Sequence, residues 1–75
     1  MTNEPDILTK SGALSFLGRA RLRAERQARD GTRVPAGAAG TVVEILGGGQ
    51  ACIVEFVDPV QAVLTVRAED LTALR

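Results

Sequence analysis

Apolar and polar residues alternate along short stretches in the second half of the chain, and this two-residue period predicts strands. Residues 41–46 are rich in β-branched side chains, which favour strands. Residues 47–49 are all glycine and accept the positive φ angles of a tight reversal. The chain should therefore return as a strand over 51–57. Another strand is expected over 61–67, after Asp58-Pro59 interrupts the ladder.

The remaining segments complete a small barrel. Residues 30–40 contain an Asp-Gly turn signal, a proline and two further glycines, and they predict a long first loop. Residues 69–71 have the pattern of a single helical turn, and residues 72–74 should form a short last strand. Barrels suit such short strands, because closure removes unpaired sheet edges. We therefore predict an all-β, five-stranded barrel.

Residues 19–29 support two interpretations. As a strand, arginines alternate with alanine or leucine over 19–24, which is the pattern of a half-buried strand. As a helix, apolar residues recur at helical spacing from Leu17 to Ala28, and the Ala, Arg, Glu and Gln content favours a helix. We predict the strand, because the rest of the chain indicates β-structure and needs a first strand.

The alternation assigns the apolar residues of the strands to two sides. The inward side should form one core, made of Leu22, Val43, Ile45, Val54, Phe56 and Leu64. The charged residues should face solvent, which places a second apolar set on the outward side: Val42, Leu46, Ile53, Val57 and Val63. An outward side with this many apolar residues is unusual for a free monomer. Either strand bending and residues 13–18 cover it, or it is an interface for a second copy or a partner protein.

The residue content restricts the chemistry. The 75 residues are enough for one domain, and the chain has no His and one Cys. This removes the commonest general base, the Ser–His and Cys–His nucleophile pairs and the usual ligands of a zinc site. Cys52 should point inward with Val54 and act as a small hydrophobe. We therefore expect no enzymatic activity, no cofactor and no metal site.

Charge is distributed unevenly, although the formal net charge is zero. Residues 10–33 hold seven basic and two acidic residues, whereas residues 34–75 hold two basic and five acidic residues. Four arginines of the basic half could contact phosphates: Arg19, Arg21, Arg23 and Arg33. The zero net charge and the lack of interleaved aromatic residues for base stacking argue against nucleic acid as the partner.

The first residues give an expectation about location. Acidic residues stand where a signal peptide needs a basic start, and no stretch approaches the ~20 apolar residues of a membrane span. A lone Cys suits a reducing compartment. We therefore expect a cytoplasmic protein that does not contact a membrane. Its predicted organisation is a mobile N-terminal arm over 1–18 and a barrel domain over 19–75.

Three motifs resemble a family of small bacterial SH3-like barrels of unknown function. They are Pro-Ala-Gly-x-x-Gly-Thr-Val-Val at 35–43, Val-Glu-Phe at 54–56 and acidic-acidic-Leu at 69–71. The resemblance covers about residues 20–75, implies a five-stranded SH3-like barrel and places 20–24 as its first strand. Such relatives carry an aromatic residue where this chain has Cys52, so a stacking surface is missing here. Similar barrels also occur in accessory subunits of multi-component enzymes, including relatives of nitrile hydratase.

These observations favour a non-catalytic protein-binding or accessory module that acts through the apolar side of its sheet. Its partner would be another protein or a second copy of the chain. The alternative is a small nucleic-acid-binding barrel that uses the four arginines named above.

Overall fold

The structure, a computed structural model, describes residues 14–74. In this range the chain forms seven strands, a 3-10 turn and no α-helix, which confirms the all-β prediction. In chain order these elements are β1 (Arg19–Leu22), β2 (Arg26–Gln27), β3 (Arg33–Val34), β4 (Ala39–Leu46), β5 (Ala51–Phe56), β6 (Ala62–Arg67), the 3-10 turn Ala68–Asp70 and β7 (Leu71–Ala73). No helix among these residues is long and apolar enough to cross a membrane.

Five strands form one antiparallel sheet in the order β6-β5-β4-β1-β7, and β2 pairs with β3 in a separate two-stranded ladder. The three consecutive glycines join β4 to β5 and all have positive φ angles, as expected for a tight reversal. The last strand returns to pair with the first, with Ala73 opposite Ala20. Within residues 14–74 the edge strands β6 and β7 are not paired with each other, so barrel closure is not seen.

The first strand resolves the ambiguity between strand and helix. Residues 19–22 are extended, with Ala20 and Leu22 buried and Arg19 and Arg21 exposed. The predicted alternation over 19–24 is too long, because the strand ends at Leu22 and Ala24 is exposed in the following bend.

The core lies on one side of the sheet and under the β2–β3 hairpin. The prediction of buried Leu22, Val54, Phe56 and Leu64 is confirmed, and Cys52 is fully buried beside them. Two predicted core residues differ: Ile45 is only partly buried against the core, and Val43 is half-buried outside it. The core also contains residues that were not predicted, among them Leu14, Val34, Val66 and Leu71.

A β-bulge in β4 corrects the predicted placement of Val42. Thr41 pairs with Glu55 and Val42 with Val54, but Glu44 then pairs with Ile53, so Val43 is an extra residue. The extra residue reverses the alternation on its N-terminal side. Val42, which was predicted to face outward, is therefore fully buried opposite Val54.

The β2–β3 hairpin was not predicted: β3 lies in residues 30–40, which were predicted as loop, and β2 lies in the ambiguous stretch 19–29. Arg26 pairs with Val34 and Gln27 with Arg33, and the turn between them contains the Asp-Gly signal. The hairpin contributes Ala28 and Val34 to the core. It thus folds over the sheet as a small flap with an apolar inner side.

The packed part of the chain begins before the predicted domain boundary at residue 19. Leu14 is buried in the core, and the backbone N–H of Leu17 donates to the carbonyl oxygen of Val42 at 2.6 Å. Phe16 and Leu17 are nevertheless exposed, at 62% and 61%. Of the predicted mobile arm, residues 1–13 lie outside the described residues.

Candidate protein-binding surface

The five residues predicted to form a partner surface do not lie on one continuous apolar face. Val42 is buried, and Leu46 and Ile53 are half-buried. Val57 and Val63 are the two that present most of their side chain to solvent, at 64% and 57% exposure. The exposed apolar area of the sheet is therefore concentrated where β5 ends and β6 begins.

Val57 and Val63 both line a groove of about 470 Å³. Its walls come from three separate parts of the chain: the hairpin turn at 28–30, residues 55–57 around the end of β5 and residues 61–63 around the start of β6. Phe56, which is almost fully buried, contributes to the lining. The groove thus combines an apolar wall with charged groups from the hairpin turn and from β5.

A second depression of about 300 Å³ lies on the other side of Val57. It is lined by residues 37–39 and 57–59 together with Arg19 and Arg21. Val57 lines both hollows and separates them as an apolar ridge. A partner that covered Val57 would therefore contact the groove, with its mixed apolar and charged lining, on one side and two arginines on the other.

Three of the four predicted phosphate-contacting arginines lie on or directly after β1. Each donates a hydrogen bond within the domain: Arg19 to the Thr41 hydroxyl at 3.3 Å, Arg21 to the Gly37 carbonyl at 2.6 Å and Arg23 to the Thr72 hydroxyl at 3.1 Å. Among the described residues, none of the three lies within ion-pair distance of an acidic side chain.

Arg33 does not belong to this group. It lies on β3, in the separate hairpin, and pairs with Glu25 at 2.6 Å. A second ion pair, Arg26 to Asp70 at 2.9 Å, ties the same hairpin to the 3-10 turn. The structure therefore supports a group of three arginines rather than the predicted four.

The titratable groups with altered pKa values have structural explanations. Burial raises the pKa of the Cys52 thiol, which keeps it protonated near neutral pH. The backbone N–H of Thr32 donates to the Asp30 carboxylate at 2.9 Å and lowers the pKa of Asp30. Across residues 14–74, no group of three or more His, Cys, Asp or Glu side chains could hold a metal ion.

Sequence reasoning missed the hairpin wall of the groove. The Asp30-Gly31 turn signal was visible, but nothing in the local pattern brings it near residues 61–63, some thirty positions later. Comparison of the chain with protein-family models, with curated proteins and with solved structures gave no match.

Proposed function

We propose that this chain is a non-catalytic protein-binding or accessory module whose contact surface is the groove flanked by Val57 and Val63. The observation that carries the proposal is the position of these two valines. Both are more than half exposed, and both border one groove with Phe56 in its lining. Exposed apolar side chains around a concave site are typical of surfaces that become buried on binding.

The energy available from this surface suits a modest affinity. Burying one valine side chain completely is worth about 1.5–3 kcal/mol, and each of these two is already partly covered. Association also costs translational and rotational freedom, which offsets part of that gain. Polar groups at the rim, such as Arg29 and Glu55, would then supply specificity more than affinity.

We further propose that the sheet is a partly open SH3-like barrel. Three features support this: β7 returns to pair with β1, a hairpin lies in the long loop after β1, and a 3-10 turn precedes the last strand. They agree with the resemblance carried by the motifs at 35–43, 54–56 and 69–71. On this fold the groove lies between the hairpin and the sheet.

Nucleic-acid binding is the second candidate function. Arg19, Arg21 and Arg23 favour it, because they lie together without an acidic partner among the described residues. Their hydrogen bonds to Thr41, Gly37 and Thr72 and the zero net charge weaken it. Binding to phosphates falls steeply with salt, whereas apolar association does not.

Affinity capture from the native lysate tests the proposal. The parent chain should retain a protein partner at both 0.1 M and 0.5 M salt, although the Debye length falls from about 10 Å to roughly 4 Å between them. The double variant Val57→Thr with Val63→Thr keeps strand propensity, removes apolar area and should lose the partner.

Ile53→Thr is the matched control. Ile53 lies on the same outward side but does not line the groove, so this variant should retain the partner. Equal loss from Ile53→Thr would point to a broad sheet surface instead of the groove. Retention of nucleic acid that is removed by salt would favour the second candidate.

A further inference from the structure

Among residues 14–74, strand β6 forms one edge of the sheet. Within residues 14–74 it pairs only with β5, and it runs for six residues, Ala-Val-Leu-Thr-Val-Arg, without Pro or Lys. Proteins protect such edges with short strands, prolines or lysines. The opposite edge, β7, is three residues long and is protected by its shortness. The backbone of β6 is thus the part of the sheet best able to accept another strand.

The hydrogen-bond alternation identifies which groups of β6 face away from the sheet. The N–H of Ala68 donates to the carbonyl oxygen of Gln50 at 2.9 Å, which makes Gln50 and Ala68 a hydrogen-bonded pair. Hydrogen-bonded pairs alternate along an antiparallel ladder, so Val66, Leu64 and Ala62 also bond to β5. The N–H and C=O groups of the intervening residues, Val63, Thr65 and Arg67, therefore point off the edge.

We propose that β6 pairs antiparallel with β6 of a second copy of this chain, around a two-fold axis at Thr65. In this register Thr65 faces Thr65, and Val63 faces Arg67 of the second copy. It is the symmetric register that pairs all three outward-pointing residues, and it would form about six backbone hydrogen bonds. Shifts by two residues leave at least one outward-pointing residue of the strand without its counterpart.

Charge complementarity supports the second copy as the occupant. Glu55 lies next to Val63 on the same side of the sheet and has no ion-pair partner among the described residues. In the proposed register, Arg67 of the second copy lies directly across from Val63, one strand spacing or about 4.8 Å away. Glu55 lies one strand further, at about twice that distance. Its aliphatic stem would cover Val63 while its guanidinium reaches Glu55.

The same register also places an acidic residue of the second copy near the groove. The 3-10 turn follows Arg67 and contains exposed Glu69. In this register Glu69 of the second copy lies opposite Gln61. Gln61 lines the groove together with Arg29, which has no acidic partner within ion-pair distance among residues 14–74. The inference therefore rests on the proposed function and names the partner of that site.

Pairing through one short strand buries little area compared with the ~1,200–2,000 Å² of stable interfaces. The dimer should consequently form at tens to hundreds of micromolar rather than at nanomolar concentration, on the order expected for weak interfaces. Sedimentation velocity of the full chain across a hundredfold concentration range is the measurement. The parent should shift from monomer to dimer within this range, and no species larger than a dimer should form.

Thr65→Lys places a lysine at the two-fold axis and should keep the chain monomeric throughout the range. Thr72→Lys is the matched control, because it is the same substitution at an exposed position of the other edge strand. It removes the hydrogen bond from Arg23 but leaves β6 unchanged, so it should dimerise like the parent. Circular dichroism and thermal melting establish that both variants are folded.

A charge reversal tests the register and does not depend on the lysine variants. Arg67→Glu should weaken the dimer about fivefold or more, because two symmetric contacts turn repulsive. Adding Glu55→Arg to it should restore the parent affinity. A parent that stays monomeric, a double variant that shows no recovery, or an equal effect of Thr72→Lys and Thr65→Lys would each overturn the proposal.

The outcomes also separate this inference from the proposed function. A monomeric parent that still loses its captured partner through Val57→Thr with Val63→Thr would overturn the dimer and leave the binding function standing. The opposite outcome is that the charge reversal and its rescue change the dimer affinity as expected while Val57→Thr with Val63→Thr still captures the same proteins. That result would uphold the dimer and overturn the groove as a site for other proteins.

Discussion

Gly40 of β4 lies directly against Glu55 of β5, and a Cβ atom on Gly40 would stand 2.7 Å from the Glu55 carbonyl oxygen. The same atom would come within 2.7 Å of a Val54 side-chain methyl and 2.9 Å of the Phe56 ring. The φ angle of Gly40 is not positive, so close packing and not backbone conformation requires glycine here. This contact fixes the position of β5 at the point where the groove begins.

Gly40→Ala should lower the free energy of unfolding by about 1–3 kcal/mol, because the added methyl overpacks a site with backbone on one side. Denaturant unfolding measures the loss, and backbone amide chemical shifts of Val54 and Phe56 should move. Gly37→Ala is a useful comparison: nothing lies within 4 Å of its added methyl, although its φ of +92° adds backbone strain. An alanine at 40 that left stability unchanged would contradict the close contact.

Val54→Asp should destabilise the domain by several kcal/mol, roughly 3 or more, because it buries an unpaired carboxylate among Val42, Cys52 and Phe56. Val57→Asp is the matched control at a position that is 64% exposed, and it should cost less than about 1 kcal/mol. Thermal melting of both variants gives the comparison. Similar melting temperatures for the two would mean that the inward assignment of Val54 is wrong.

Cys52 should resist modification in the folded protein. Its thiol is fully buried, and burial raises its pKa above the ordinary value of 9.0. A thiol reagent at pH 8 should therefore react far more slowly with the native chain than with the chain in denaturant. Thr65→Cys in a Cys52→Ala background provides the exposed control, and it should react rapidly.

The raised pKa of Cys52 also gives a stability effect with a definite sign. The unfolded chain ionises its thiol near pH 9, before the folded chain does, so the thiol's contribution to stability is complete below that pH. This contribution is lost as the pH rises further, through the raised pKa that the thiol has in the folded chain. The melting temperature of the parent should consequently fall more between pH 8 and about pH 10 than that of Cys52→Ala. An equal fall in melting temperature for the two proteins would contradict ionisation of Cys52 as the cause.

The strands could be predicted from the sequence, but their faces only in part. Period-two runs and the glycine reversal located β4, β5 and β6 to within two residues of their observed ends. The alternation held on β5 and β6, where Val54 and Leu64 are buried as expected. It failed at Val42, because a bulge inserts one residue without any distinctive residue type to signal it.

The candidate site was even less accessible to sequence reasoning. Val57 and Val63 were identified as outward residues from their strands, but the opposite wall at 28–30 belongs to a hairpin with two-residue strands. Strands that short carry no measurable period. Arg33 was grouped with the β1 arginines because it is near them in sequence, whereas it lies in the separate hairpin and pairs with Glu25.

If protein partners bind at the Val57 ridge, site-specific photo-crosslinking in the native lysate should capture them there. A photoreactive residue at position 57 should give a discrete adduct that protease removes and nuclease does not. The same residue at position 44, which replaces exposed Glu44 on the outward side of β4, should give little adduct. An adduct from position 57 that nuclease removes, or equal adducts from both positions, would contradict specific binding of a protein at the Val57 ridge.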